Sequence, residues 1–169
     1  MSAAVTSRAH DVVAAVLDPE MPSVTLDDLG IVRRVDELAD GAVAVTITPT
    51  YSGCPAMGTI RADIESALRG AGYTDVTIHT ALSPAWTTDW ITEAGRAKLR
   101  AAGYSTPGAA PKRTAGPVPL TLQAKPRSVT CPACGSTATR LDSEFSATPC
   151  KALYRCLDCR EPFDHVKEI

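Results

Sequence analysis

The chain has few aromatic side chains, no long apolar run and little net charge. Aromatic residues make up 5% of its 169 residues, and the formal net charge is −2 at pH 7. No apolar stretch is long enough to cross a bilayer, and no basic region followed by an apolar core opens the sequence. A dense basic stripe is also missing, which disfavours a nucleic-acid binder. We therefore expect a cytoplasmic protein that binds neither membranes nor nucleic acids.

Several enzyme motifs are absent as well. The paired Glu-x-x-His motifs of carboxylate di-iron sites do not occur, nor does a glycine-rich dinucleotide fingerprint or a phosphate loop. Outside residues 131–159 there is no Cys-x-x-Cys pair, which counts against a thiol-redox enzyme. We expect a protein without catalytic activity of its own.

Cysteine is the informative residue that is present. Hydrophobic residues make up 44% of the chain and charged residues 21%, a normal globular balance, and the length allows one ordinary domain or two small ones. Six cysteines in a chain without a secretory signal favour metal or thiol chemistry in a reducing compartment over a disulfide framework.

Cys54 lies between a strand pattern and a helix pattern. Apolar residues alternate before it, at Val43, Val45 and Ile47, and recur at helical spacing after it, at Met57, Ile60, Ile64, Ala67, Leu68 and Ala71. Gly53 permits a sharp turn, and Pro55 suits the first position of the helix. The helix dipole favours a thiolate there, so Cys54 is a candidate for reactivity or metal binding. The alternative is a small buried cysteine that packs the turn.

The first domain, residues 1–104, has the predicted order α-β-β-α-β-α. Its first helix starts after Ser7 and ends near Asp18, because Pro19 disfavours helix at the preceding residue. Asp18 and Glu20 then form a rigid acidic loop, which is either functional or a solvated connection. The pattern predicts a compact α+β domain with helices packed on a small antiparallel or mixed sheet.

Two tryptophans, Trp86 and Trp90, stand close together before the last helix of this domain. At least one of them is expected in the core, while the other could lie over the Cys54 turn or on a partner-binding surface. Thr88 or Thr92 is the expected cap of that helix.

A proline-rich linker, residues 105–128, precedes a second domain, residues 129–169. This domain holds two Cys-x-x-Cys pairs, which are Cys131, Cys134, Cys156 and Cys159. Two such pairs complete a tetrahedral site, and the residues between them allow strands at 140–144 and 151–155, as in a zinc ribbon. We expect structural zinc rather than iron, and a fold that depends on the metal. Nearby basic residues could offset the charge of four thiolates: Arg140, Lys151, Arg155 and Arg160.

Cys150 is the thiol left over in this domain. Lys151 beside it would favour a thiolate, while a buried packing cysteine is the alternative. His165 could replace a ligand, but the four cysteines make it unnecessary.

Three stretches of the first domain resemble the iron–sulfur assembly domain of bacterial SufT-like proteins and eukaryotic cytosolic targeting factors. They are Asp18-Pro19-Glu20 with Asp28-Leu29-Gly30-Ile31-Val32, Thr46-Ile47-Thr48 with Gly53-Cys54-Pro55-Ala56, and Trp86-Thr87-Thr88-Asp89. The match covers about residues 7–103. With two further stretches, 90–96 and 145–156, nearly the whole chain except the linker resembles the D-subunit family of the phenylacetyl-CoA ring 1,2-epoxidase system.

The resemblance implies an accessory protein of aerobic phenylacetate degradation that matures a metal centre of the epoxidase. Its partners would be the oxygenase or reductase subunits and the iron–sulfur assembly machinery. It also implies that Cys54 is the assembly-domain thiol for transient iron or an iron–sulfur cluster, that the two Cys-x-x-Cys pairs are ribbon ligands, and that Asp18 and Glu20 match the family's acidic loop. Two alternatives stay open: a thiol-redox protein that uses Cys54 and Cys150, and a ribbon docking protein without metal transfer.

Overall fold

The computed structural model describes residues 7–51, 53–110 and 129–169. The chain divides into two compact units, Met1–Lys98 and Leu99–Ile169. Its helices and strands, in chain order, are α1 (Arg8–Ala14), β1 (Val32–Glu37), β2 (Val43–Ile47), α2 (Met57–Gly70), β3 (Val76–Thr80), α3 (Glu93–Ala101), β4 (Thr139–Ser143), β5 (Lys151–Cys156) and β6 (Pro162–Val166). None of the helices in the described ranges is long and apolar enough to cross a membrane.

The first unit is built on a three-stranded mixed sheet in the order β1-β2-β3. β1 pairs antiparallel with β2, and β2 pairs in parallel with β3. Alternate residues of β2, namely Val43, Val45 and Ile47, are buried, as their spacing predicted. The parallel pair requires a crossover connection, which α2 supplies. The predicted α+β class and the order of elements are confirmed.

α2 begins later than the sequence predicted. The expected first helical position was Pro55, but the helix starts at Met57, with Ala56 as its N-terminal cap. The amide of Cys54 donates to the carbonyl of Tyr51 (3.2 Å), so the chain makes an extra turn before it enters the helix. Cys54 therefore lies in that turn rather than directly against the first helical residue.

α1 ends at Ala14 rather than near Asp18, although it is capped by Ser7 as predicted. The carbonyl of Val16 and the amide of Asp18 pair with residues 24–26, at 2.9 and 3.0 Å. The chain is already extended here because this pairing competes with the last helical turn. The acidic loop is thus held at both of its ends.

The two tryptophans have different environments. Trp86 is 4% exposed, and its indole N–H donates to the carbonyl of Leu29 at 2.9 Å, which confirms a core role for one of the pair. Trp90 is half-buried, and the guanidinium of Arg33 lies 3.6 Å from its ring centre. Thr92 caps α3 with its hydroxyl, as one of the two predicted alternatives.

The second unit holds a separate antiparallel sheet in the order β4-β5-β6. β4 and β5 lie where the sequence placed strands, whereas β6 was not predicted, because its five residues mix proline, charged and apolar side chains. The buried cluster of this unit consists of Val129, Cys131, Ala152, Tyr154, Cys156 and Phe163. With so small a core, a bound metal would add much of the stability.

Ser105, at the start of the expected linker, pairs with β6. Its amide donates to the carbonyl of Asp164 (2.9 Å), and its carbonyl accepts from the amide of Val166 (3.0 Å). From residue 111 onward the expected linker, residues 105–128, lies outside the described residues. The boundaries of the two predicted domains stay a prediction.

Candidate metal centre and candidate thiol site

Two tight turns carry the ribbon cysteines. In the first, the amide of Gly135 donates to the carbonyl of Cys131, and the amide of Cys131 donates to the carbonyl of Ser136, both at 2.9 Å. In the second, the amide of Cys156 donates to the carbonyl of Glu161 at 3.0 Å. Each turn folds one Cys-x-x-Cys pair so that both sulfurs point to the same side.

The structure brings the four ribbon sulfurs together within 4.8 Å of one another. Two of the separations are 3.7 Å (Cys131 to Cys159) and 3.6 Å (Cys134 to Cys156). Zinc–sulfur bonds of about 2.3 Å in a tetrahedron place the sulfurs roughly 3.8 Å apart. The donor set, which is the expected one, fits a four-coordinate zinc ion. None of the six cysteines, all of which lie in described residues, forms a disulfide.

The pKa values of the clustered thiols are pushed apart. The amide of Cys159, more than any other neighbour, lowers the pKa of Cys156 to about 7. The amide of Glu161 lowers the pKa of Cys159, but burial and the neighbouring cysteine sulfurs outweigh it and raise that pKa to about 12. Thiols this close cannot all ionise because their charges repel. A divalent cation at the centre removes the repulsion and favours all four thiolates.

The arginines near the cluster pair with a carboxylate. Arg140 and Arg155 bind the two oxygens of Asp142 at 2.9 and 3.0 Å, and the hydrogen bond from Arg140 contributes most to lowering the pKa of Asp142. Arg155 also donates to the carbonyl of Arg160 at 3.3 Å, which ties β5 to the second cysteine turn. The positive charges expected to offset the thiolates are therefore shared with a surface carboxylate.

Cys54 lies in the loop that follows β2, half-buried between exposed Gly53 and Pro55. The last residues of β2 and β3, Ile47 and Thr80, are register partners, so both strands end at the same edge of the sheet. The carboxyl edge of parallel strands is where ligands bind in open α/β sheets. The structure thus puts Cys54 at an accessible edge, in a loop that leads into the crossover helix.

Two further features mark this edge of the sheet. Thr48, directly after β2, is 1% exposed, and its hydroxyl has no hydrogen-bond partner among the described residues. Leu82, two residues after β3, is 63% exposed. Buried polar groups without partners are uncommon and accompany ligand or water sites, and exposed large apolar side chains favour contact with a partner.

Asp18 of the acidic loop is 5% exposed, and its carboxylate accepts hydrogen bonds from neighbouring backbone amides. Its Oδ1 accepts the amides of Glu20 (2.9 Å) and Met21 (2.8 Å), which fixes the turn after Pro19. Glu20 is half-buried. A functional role for either carboxylate stays a prediction, whereas the loop-stabilising role of Asp18 follows from these bonds.

Asp28 is a buried carboxylate whose bonding the sequence did not reveal. Its Oδ2 lies 2.6 Å from Nζ of Lys98 and accepts the amide of Thr25 at 3.0 Å, while its carbonyl accepts the amide of Thr92 at 2.9 Å. Burial acts to raise the pKa of Asp28, but the bonds from Lys98 and Thr25 outweigh it and lower the pKa. Asp28 ties the loop before β1 to the start of α3. The 70 residues between Asp28 and Lys98 leave no sequence signal for the pairing.

Cys150 is 8% exposed, and its sulfur lies 3.1 Å from the hydroxyl of Thr148. The ammonium of Lys151 lies 3.5 Å from Oδ2 of Asp164 and 5.4 Å from the centre of the Tyr104 ring. This positive charge, which was expected to favour a thiolate at Cys150, is therefore engaged elsewhere. The environment resembles that of a packing cysteine.

This unit also contains a polar cluster that the sequence does not predict. Ser105, His165 and Glu168 meet at one cavity, although Ser105 and His165 are 60 residues apart. The sequence predicts His165 only as a spare metal ligand, whereas the structure places it between a hydroxyl and a carboxylate.

Known families match both parts of the chain. Residues 9–80 match the family of iron-sulfur cluster assembly proteins, and residues 115–167 match the PaaD zinc beta ribbon domain. The first match includes the Cys54 loop, and the second includes all four ribbon cysteines.

Individual relatives agree with these matches. A protein of Escherichia coli (strain K12) named as the D-subunit of a 1,2-phenylacetyl-CoA epoxidase is 46% identical over 153 residues, which cover 90% of this chain and 86% of that protein. An Fe-S protein maturation auxiliary factor of Porphyromonas gingivalis is 38% identical over 85 residues, which cover 50% of this chain and 80% of that protein. The crystal structure of a domain of unknown function from Bacillus anthracis has a TM-score of 0.51 at 24% identity, covers 56% of this chain and 90% of that one, and shows the fold alone.

Proposed function

The chain belongs to the D-subunit family of 1,2-phenylacetyl-CoA epoxidases, and we propose that it matures or maintains the metal centre of a multicomponent phenylacetyl-CoA epoxidase. The centre is an iron–sulfur cluster or a di-iron site, and iron or a cluster is the cargo. The partners are the oxygenase or reductase subunits and the iron–sulfur assembly machinery of the cytoplasm.

The position of Cys54 is the observation that carries this proposal. Its thiol is half-buried at the carboxyl edge of the parallel strands, within the segment that matches iron–sulfur cluster assembly proteins. The thiolate form of such a cysteine is a soft ligand that binds iron.

One thiolate from this unit suits transfer rather than storage. A resident iron or cluster is held by several protein ligands, whereas a single cysteine leaves most coordination positions to the donor or the client. Leu82 at the same edge is exposed and supplies an apolar contact for such a partner.

The ribbon has a separate task in this proposal. Four cysteines saturate a tetrahedral zinc ion and leave no open position for a substrate. Zinc there stabilises the second unit, and the ribbon surface docks the client. The cargo therefore has to bind at Cys54.

The alternatives have less support. A thiol-redox protein would use Cys54 with Cys150, but Cys150 is 8% exposed and packs against Thr148. The hypothesis of a ribbon docking protein without metal transfer does not explain why the Cys54 thiol lies at an accessible edge of the sheet. Asp18 and Glu20 could assist at the cargo site, although two amides already occupy Asp18.

Anaerobic iron reconstitution tests the proposal on the purified chain. Wild type, Cys54→Ser and the matched control Cys150→Ser are incubated with ferrous iron and sulfide, and bound iron is measured beside zinc. We expect iron to bind weakly to wild type and to Cys150→Ser but not to Cys54→Ser, with zinc unchanged in all three. Equal iron binding by all three proteins would remove Cys54 from the site.

A further inference from the structure

Ser105, His165 and Glu168 form a line of hydroxyl, imidazole and carboxylate in the second unit. Ser105 Oγ lies 3.2 Å from Nδ1 of His165, and Nε2 of the same ring lies 3.4 Å from Oε1 of Glu168. The first distance is a hydrogen bond. The second is an ion-pair contact outside good hydrogen-bond geometry, and such contacts shorten when the imidazole becomes charged.

The imidazole is held in place on each side. His165 is 4% exposed, and the edge of its ring packs against Tyr154 at a centroid distance of 5.6 Å. Oε1 of Glu168 also accepts the amide of Gly108 at 3.1 Å. The contact with His165, more than any other, lowers the pKa of Glu168 to about 2, so this carboxylate is charged at neutral pH. A carboxylate at Nε2 favours the tautomer that leaves Nδ1 able to accept the hydroxyl proton of Ser105.

All three residues line one cavity of about 670 Å³. Its wall also includes Tyr104, Thr106 and Pro132. A volume of this size accommodates a small organic ligand, and the mixture of apolar and hydroxyl-bearing side chains is typical of ligand pockets.

A purely structural role does not require this alignment. The pairing of Ser105 with β6 is made by backbone amides and carbonyls, and Gly108 is fastened by Glu168 without help from the imidazole. The hydroxyl and the imidazole therefore add little to fastening the segment. They do reproduce the order of nucleophile, base and orienting carboxylate that recurs in acyl-transfer enzymes on unrelated folds.

We propose that Ser105, His165 and Glu168 form an acyl-transfer site, in which Ser105 attacks a small carboxylic ester or thioester bound in this cavity. The activity goes beyond the maturation role and does not depend on Cys54. It also departs from the sequence-based expectation of a protein without catalysis.

The reaction balances without an oxidant or a reductant. Ser105 Oγ bonds to the acyl carbon while its proton passes to Nδ1 of His165. The bond from the acyl carbon to the leaving oxygen or sulfur breaks, and His165 returns the proton to that atom. Water then gives a proton to Nδ1 of His165 while its oxygen bonds to the acyl carbon. The bond from the acyl carbon to Ser105 Oγ breaks, His165 returns the proton to Oγ, and the carboxylic acid leaves.

Labelling of the full-length zinc-loaded protein by a fluorophosphonate tests the proposal directly. We expect mass spectrometry to find the label on Ser105 of the wild type. Ser146 is the matched control, because its hydroxyl lies 2.5 Å from Oδ1 of Asp164 with no imidazole between them. Ser105→Ala should lose the label, Ser146→Ala should keep it, and His165→Gln should slow labelling by about a hundredfold.

Turnover distinguishes the ester from the thioester. Para-nitrophenyl acetate and an acetyl thioester are offered to the same proteins, with zinc content measured as the check on folding. Hydrolysis of either substrate that is lost in zinc-replete Ser105→Ala supports the site and identifies the leaving group. An unlabelled Ser105 in the wild type, or equal hydrolysis by wild type and Ser105→Ala, would overturn the proposal. The three residues would then only hold the segment at Ser105 against β6.

Discussion

Cys54 and Cys131 are both free thiols, but they lie in different surroundings. Cys131 has three other cysteine sulfurs within 4.8 Å, whereas Cys54 belongs to no cluster of three or more metal-ligating side chains among the described residues. Four thiolates retain a tetrahedral ion, and one thiolate does not. At the scale of single residues, we therefore expect zinc to copurify with the chain and iron to exchange at Cys54.

Asp28 gives a prediction about pH. Asp28→Asn keeps the side-chain shape but weakens the bonds to Lys98 and Thr25, so the first unit should lose about 1–3 kcal/mol of unfolding free energy at pH 7. The folded-state pKa of Asp28 lies below its ordinary 3.8, so its contribution is present above that pH and is lost as the pH falls further. Denaturant unfolding followed by tryptophan fluorescence measures this, because Trp86 and Trp90 both lie in the first unit.

The pH dependence serves as the control for this prediction. The difference in unfolding free energy between wild type and Asp28→Asn should shrink from pH 7 to pH 3. A difference that stays constant over that range would show that the carboxylate charge contributes nothing.

At the scale of elements, periodic segments are the ones that the sequence predicts well. β2 has strict alternation, and α2 buries a stripe at helical spacing, namely Ile60, Ile64 and Leu68. Both are fixed by their own side chains, which have to face the core. The zinc ribbon is predictable for another reason, since two Cys-x-x-Cys pairs allow few arrangements around one ion.

The remaining features depend on contacts that are distant in the sequence. α1 stops early because residues 16–18 pair with residues 24–26, and the turn at Cys54 delays α2 by a bond to Tyr51. β6 pairs antiparallel along β5, although its own residues show no strand pattern. The contact between Ser105 and His165 follows from the pairing of Ser105 with β6, which joins residues 60 positions apart and leaves no local sequence pattern.

The ribbon gives a prediction about zinc. Cys131→Ser or Cys159→Ser removes one of four ligands, and the small core of the second unit cannot replace the lost binding energy. We expect zinc loss and rapid proteolysis of residues 129–169, with unchanged tryptophan fluorescence from the first unit. Cys150→Ser is the control and should keep zinc. Zinc retained in either ligand mutant, or an intact ribbon without zinc, would contradict the account.

At the scale of the whole molecule, the chain is expected to be two domains joined by the proline-rich segment 105–128. This segment carries three sites for trypsin, which are Lys112, Arg113 and Arg127, because proline follows Lys125 and blocks cleavage there. Brief digestion should cut there first and release two folded pieces, the second with its zinc. Resistance across this segment would show that the chain does not behave as two tethered domains.

Maturation of the epoxidase by Cys54 is the central claim, and metal content of the client tests it most directly. The epoxidase is purified from cells that carry wild type, Cys54→Ser or no copy of this chain, and its iron, sulfide and turnover are compared. Serine is nearly isosteric but does not ionise near neutral pH, so the mutant should fold and keep its zinc. We predict epoxidase depleted of iron or cluster with Cys54→Ser, as in cells without the protein. Full metal content and turnover with Cys54→Ser, but not without the protein, would contradict the claim and leave the ribbon as the functional part.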